Sequence, residues 1–120
     1  YGPGARDTML IPRILRNDVP YVNTNHWRDF IHVDDLCSAI NTLISSTESV
    51  VPFGDVIDIG TGEIHKLTDI LQYFKIDTKE RLADESERIL NKADVGFLKS
   101  LGWKPEVNLR KYITKNRITN

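Results

Sequence analysis

Arg28 is the residue of this chain best equipped to bind an anion, because a guanidinium offers a planar fork of donors that grips two phosphate oxygens and never loses its charge. It opens the stretch Arg28-Asp29-Phe30-Ile31-His32-Val33-Asp34-Asp35. Taken alone the signal is weak, since an arginine beside Asp29 also reads as an ordinary surface ion pair. His32 with Asp34 and Asp35 has the composition of a metal site, but alternation along an extended run sets His32 opposite Ile31, and both aspartates have a capping role. No metal is expected there. His26 and His65 fall in turns with no visible partner, so the three histidines assemble no Ser-His-Asp or Cys-His arrangement. Gly60-Thr61-Gly62-Glu63-Ile64-His65 stands where a dinucleotide-binding G-x-G-x-x-G would sit. His65 replaces its third glycine, which permits close helix packing, and no later strand ends in an acid suited to a ribose.

These residues need strands and helices to place them. Phe30, Ile31 and Val33 predict a short strand over 30–33, and Asp34 or Asp35 is expected to cap a helix over 35–45 carrying Leu36, Ala39, Ile40, Leu43 and Ile44. A loop over 46–55 leads to a second strand over 56–59, and parallel pairing of the two is plausible. Upstream, Asp7 is expected to cap a short helix with Met9, Leu10, Ile14 and Leu15, with Pro12 near its first turn and Asp18-Val19-Pro20 as its stop. Tyr21 and Val22 look extended, and Asn23-Thr24-Asn25 forms a polar turn. Downstream, Leu67, Ile70, Leu71 and Phe74 mark another helix, and the charged stretch 75–88 reads as a loop with one short strand or turn near Arg81-Leu82. Asp94 caps a helix over 95–101, ended by Gly102, Trp103 and Pro105, and Asn108 caps a last helix with Leu109, Tyr112 and Ile113 facing inward.

A chain of 120 residues fits one domain. At this length folding hides roughly 65% of the unfolded surface, a real but modest core. Sixteen basic and seventeen acidic residues leave a net charge of -1, so no global field draws the chain to nucleic acid or to an anionic membrane. Any anion site must be local. The single Cys37 reads as a small buried hydrophobe and suits a reducing, cytoplasmic setting. No run approaches the roughly 18 apolar residues of a membrane span, and no signal peptide is visible.

The block from Arg28 to Asp35 resembles the R-D-F/Y-I-H-V-x-D segment of the extended short-chain dehydrogenase/reductases, the NAD-dependent epimerases and dehydratases of sugar nucleotides. Three more blocks follow the family's order: Tyr1-Gly2-Pro3-Gly4-Ala5-Arg6, then Val56 to Gly62 (like F-N-I-G-T-G), then Ala93-Asp94 with Leu101-Gly102-Trp103-Lys104-Pro105 and Leu109. The resemblance runs from residue 1 to about residue 113. It implies an α/β fold: the C-terminal part of a Rossmann-type enzyme, with the last sheet strands and a small helical substrate-binding domain. Residues 1–27 would be a substrate-domain segment, 28–62 a strand-helix-strand returning to the nucleotide-binding sheet, and 63–120 the C-terminal substrate-binding segment.

By the same resemblance Arg28 grips the diphosphate of a nucleotide sugar linked to UDP, GDP or dTDP. Tyr21, seven residues earlier, either stacks on the base or is a half-buried strand tyrosine. The family's G-x-G turn between them is Asn23-Thr24-Asn25 here, and Asn tolerates a left-handed backbone. Glu87 stands where the family has the acid of G-E or G-D, but the second diphosphate arginine, three residues before it, is replaced by Asp84; Arg81 or Arg88 could substitute. The Gly60-Thr61-Gly62 loop is read as structural, with Thr61 near substrate.

Two family features are missing. The chemistry rests on Tyr-x-x-x-Lys, in which lysine lowers the tyrosine pKa while NAD moves hydride, yet Tyr21, Tyr73 and Tyr112 are followed four residues on by Asn25, Asp77 and Asn116. The dinucleotide fingerprint is absent too. Both precede the Y-G-P block in the family, and this sequence starts there with Tyr1, so it reads as entered in the middle. The expectation is a C-terminal substrate-binding portion, inactive alone, with NAD held mainly by an N-terminal region. The alternatives are a non-catalytic nucleotide-sugar module and one chain of a split enzyme whose partner is a separate N-terminal chain. The family's dimer helices mostly lie before residue 1, which leaves a homodimer open.

Overall fold

The computed structural model describes residues 1–46, 56–82 and 90–118. Its helices are α1 (Leu10–Leu15), α2 (Val33–Ser45), α3 (Leu67–Tyr73), α4 (Gly96–Ser100) and α5 (Leu109–Asn116). Its strands are β1 (Tyr21–Asn23), β2 (Trp27–Arg28), β3 (His65–Lys66), β4 (Lys79–Arg81) and β5 (Leu90–Asn91). They form two small sheets. β1 pairs parallel with β4, Tyr21 opposite Lys79 and Asn23 opposite Arg81. β2 lies between β3 and β5, antiparallel to the first and parallel to the second, so Arg28 faces His65 on one side and Asn91 on the other.

Hydrophobic burial divides into two clusters. Ile11, Ile14, Val19, Val22, Leu67, Ile70, Leu71, Leu109 and Ile113 form the larger, joining α1, β1, α3 and α5. Ala39, Leu98 and Trp103 form the smaller, between α2 and α4. Phe30 packs on the first cluster and its neighbour Ile31 on the second. This is why 30–33 is no strand, contrary to the sequence expectation: the ladder lies two residues earlier, at Trp27–Arg28, and the apolar alternation serves as a wall between two cores. Residues 56–59 likewise join no ladder among the described residues, and Val56 is 93% exposed.

Helix starts differ from the sequence reading for definable reasons. Asp7 does not cap α1. A cap there would put Pro12 at the fifth helical position, where its missing N–H and its ring conflict with the carbonyl four residues back. The helix begins at Leu10 instead, with Met9 at the cap and Pro12 third. His32, not Asp34 or Asp35, caps α2, its Nδ1 accepting from the Asp34 N–H at 3.0 Å. Cys37 lies on the exposed side of that helix rather than in the core, in line with Ile40 and Ile44, which are 42% and 77% exposed.

Further along the chain, α3 and α5 match the sequence reading, whereas α4 is shorter than the expected 95–101 and starts from Val95 rather than from an Asp94 cap. α3 and the short strand at Arg81 are present, and Asn108 caps α5 by accepting from the Lys111 N–H at 3.0 Å. Asp94 stands one residue before Val95, the cap of α4, and its carboxylate accepts from the Gly96 N–H at 3.2 Å. That helix ends in a Schellman turn: Trp103 N–H donates to the Leu98 carbonyl, Gly102 N–H to that of Lys99, and Gly102 sits at φ +88°. Among the described residues no helix is long and apolar enough to cross a membrane.

Candidate functional site

Arg28 is held rather than splayed. Its Nη1 donates to the Trp27 carbonyl at 2.8 Å, and its Nη2 lies 3.3 Å from His26 Nδ1. His26 is 2% exposed, and its own carbonyl accepts from the Leu67 N–H, fastening β2 to the start of α3. Before it, Asn25 takes the left-handed conformation, φ +58°, so the polar turn adopts the backbone that an asparagine tolerates.

Tyr21 and Arg81 meet across the β1–β4 ladder. The Arg81 guanidinium lies 3.9 Å from the Tyr21 ring centroid, and its Nε donates to Asn23 Oδ1 at 2.8 Å. A cation over a ring face is attracted by the ring's electron density, and here it covers one face of Tyr21. Together with Thr8, Leu10 and Arg13 these residues line a cleft of ≈ 250 Å³. Arg28 sits in the other sheet and does not line this cleft. Arg88, Glu87 and Asp84 lie outside the described residues.

Sequence reasoning missed what the aspartates do. Asp29 accepts from the Thr61 N–H at 2.9 Å, the Thr61 hydroxyl at 2.6 Å, the Gly62 N–H at 2.8 Å and the Ala93 N–H at 3.3 Å. It ties two later motif blocks to the first. Gly60 must be glycine for this closeness, since a Cβ there would come within 2.5 Å of the Ala93 Cβ and 2.9 Å of Asp29 Oδ2. Asp35, 3% exposed, accepts from the Glu106 and Val107 N–H groups at 3.0 Å each, and Ser38 Oγ accepts from Trp103 Nε1 at 2.9 Å. The signal was in the sequence. Three aspartates within seven residues exceed what one helix start can use, and the surplus carboxylates need donors elsewhere.

The same bonds decide what the Gly60-Thr61-Gly62 loop can hold. Its Thr61 and Gly62 amides already point at Asp29, so the loop does not fit the pyrophosphate of a dinucleotide. His32 is equally committed. It is 5% exposed, packed edge-on against Tyr1 at 5.2 Å and Tyr112 at 5.0 Å, with Nδ1 spent on the helix cap. Burial, then the negative charge of Asp35, then Tyr112, push the Tyr1 hydroxyl up to about 12.

The profile of the NAD dependent epimerase/dehydratase family matches residues 1–60. CDP-abequose synthase of Salmonella typhimurium is 28% identical over 131 residues, covering 94% of this chain and 43% of that protein. Among solved structures, MoeE5 in complex with UDP-glucose and NAD superposes with a TM-score of 0.74 at 26% identity, over 97% of this chain and 42% of MoeE5. The UDP-glucose 4-epimerase of Thermotoga maritima, solved with UDP-glucose, shares the fold at a TM-score of 0.72 and 20% identity, over 97% and 41% of the two chains. This chain therefore spans less than half the length of each of these three proteins.

Proposed function

The chain belongs to the NAD dependent epimerase/dehydratase family, and from that premise we propose that it is the C-terminal, substrate-holding portion of an enzyme acting on a nucleotide sugar. Arg28 takes the diphosphate. The observation that carries this reading is the way three motif blocks converge on one arginine. β2 presents it, β3 follows the Gly60-Thr61-Gly62 block, β5 precedes Ala93-Asp94, and the adjacent Asp29 locks both blocks in place. So fixed a guanidinium loses little freedom when it binds, which favours affinity.

Tyr21 and Arg81 supply a flat, cationic wall for the nucleotide, with Arg81 standing in for the arginine that Asp84 replaces. Arg88 remains the other candidate for that contact. NAD supplies the family's hydride chemistry, and it is held mainly by an N-terminal region, a reading supported by the Gly60-Thr61-Gly62 loop, whose amides are taken by Asp29. The exposed stripe of Cys37, Ile40 and Ile44 favours further polypeptide covering α2, either in the same chain or as the partner in a split enzyme, over a free-standing module.

Calorimetric titration with UDP-, GDP- and dTDP-glucose tests the role of Arg28. Arg28→Ala is expected to cost about 2–5 kcal/mol of binding, the usual loss when one partner of a charged, hydrogen-bonded pair is truncated. Unchanged affinity overturns the assignment.

A further inference from the structure

We propose that His26 is a positioning residue for Arg28, retained at a buried site for the direction it gives the guanidinium rather than for the stability it gives the fold. The inference rests on the reading of Arg28 as the diphosphate ligand.

The two nitrogens of His26 are in unequal positions. A guanidinium only donates, so the 3.3 Å approach of Arg28 Nη2 makes Nδ1 the acceptor and fixes the neutral ring with its proton on Nε2. That proton is then stranded. Nε2 is fully buried and has no hydrogen-bond partner among the described residues. An orphaned buried donor destabilises a fold, whereas an apolar side chain of similar size in the same place leaves nothing unpaired. Packing alone therefore gives no reason for an imidazole at position 26.

Arg28 gives one. The Trp27 carbonyl holds Nη1 at 2.8 Å and His26 holds Nη2, so the guanidinium plane is defined by contacts at both terminal nitrogens. The Leu67 N–H bonded to the His26 carbonyl anchors the backbone that carries the imidazole, and residue 26 precedes β2 directly. A fork aimed at two phosphate oxygens depends on that plane, because bidentate contact is lost when the plane rotates. A neutral acceptor orients the guanidinium without cancelling its charge.

Three variants and one spectrum test this in the protein, with UDP-glucose, GDP-glucose and dTDP-glucose as probes. His26→Leu is expected to hold or raise the melting temperature while weakening binding about tenfold, the scale of one hydrogen bond to a charged group. His26→Asn, whose Oδ1 stands near the place of Nδ1, is expected to restore most of that affinity. Imidazole ¹⁵N shifts are expected to show Nδ1 unprotonated and Nε2 protonated in the wild type, and to move in Arg28→Ala. If His26→Leu binds like the wild type, if its binding and stability fall together, or if Asn fails to rescue, the positioning role is wrong. If Arg28→Ala binds like the wild type, or the wild type binds none of the probes, the reading of the site fails first. The imidazole shifts still decide whether the His26–Arg28 contact exists, and a protonated Nδ1 rules it out.

Discussion

The two halves of the molecule are held together by different physics. Around α1, α3 and α5 nine hydrophobic side chains are buried in one cluster, and the elements there need little else. Around α2 and α4, among the described residues, the buried cluster is just Ala39, Leu98 and Trp103, while Ile40, Ile44 and Val56 face outward. What the second half lacks in apolar contact it replaces with side-chain to backbone bonds: Asp29 to residues 61, 62 and 93, and Asp35 to residues 106 and 107. A carboxylate that accepts from several amides fixes geometry that non-directional burial leaves loose. The lesson concerns function as well. The half with the cleft is finished by its own core, and the half that carries Arg28 is tied for precision but left with an open apolar face.

Breaking the strongest tie gives the largest expected effect. Asp29→Ala removes the acceptor of four donors and is expected to cost about 3 kcal/mol, the scale of losing charged hydrogen bonds and leaving their amides unpaired. Hydrogen exchange should show the damage at residues 61–62 and in α4 while α1 and α5 keep their protection. Equal loss in both halves would show that they are a single cooperative unit.

Tyr1 bridges the halves, packing on the larger cluster while facing Asp35, and it gives a smaller effect that depends on pH. Its hydroxyl is raised from 10.0 to about 12, so the folded chain holds that proton more tightly than the unfolded chain does. Its contribution to stability is complete below pH 10 and is lost as the pH rises from there to about 12. Thermal unfolding between pH 9 and 12 is expected to fall more steeply for the wild type than for Tyr1→Phe. Parallel curves would remove Tyr1 from the bridge.

Much of this architecture was legible in the sequence where one local rule decides an element. Asn108, Gly102 and the spacing of Leu67, Ile70 and Leu71 announce their helix start, helix end and buried face directly. The readings failed where a distant segment competed. The apolar run at 30–33 reads as a strand because alternation does not reveal that its two faces meet different cores. The expectation of Asp34 or Asp35 as the cap misses the role of Asp35, because the amides of Glu106 and Val107 are some seventy residues away in sequence. Cys37 is exposed where the sequence suggests burial, because helical periodicity marks an apolar face without saying whether anything covers it. For the candidate site, the motif singles out Arg28 directly. Arg81 stacked on Tyr21 depends on a parallel ladder between strands 58 residues apart, and His26 on burial that a turn sequence does not announce.

The smallest effect sharpens the contrast from the other side. Ile44→Ser on the exposed stripe of α2 is expected to change stability by less than about 0.5 kcal/mol while lowering self-association in sedimentation experiments. A large destabilisation would mean that this face is already buried in the molecule.

The central claim is that these residues hold a nucleotide sugar without transforming it. Saturation-transfer NMR on the chain mixed with NAD and UDP-, GDP- or dTDP-glucose tests both parts at once. The account expects transfer to the protons of at least one nucleotide sugar, abolished in Arg28→Ala, with the sugar resonances unchanged over hours. New sugar resonances from the chain alone, or transfer that survives Arg28→Ala, would contradict it.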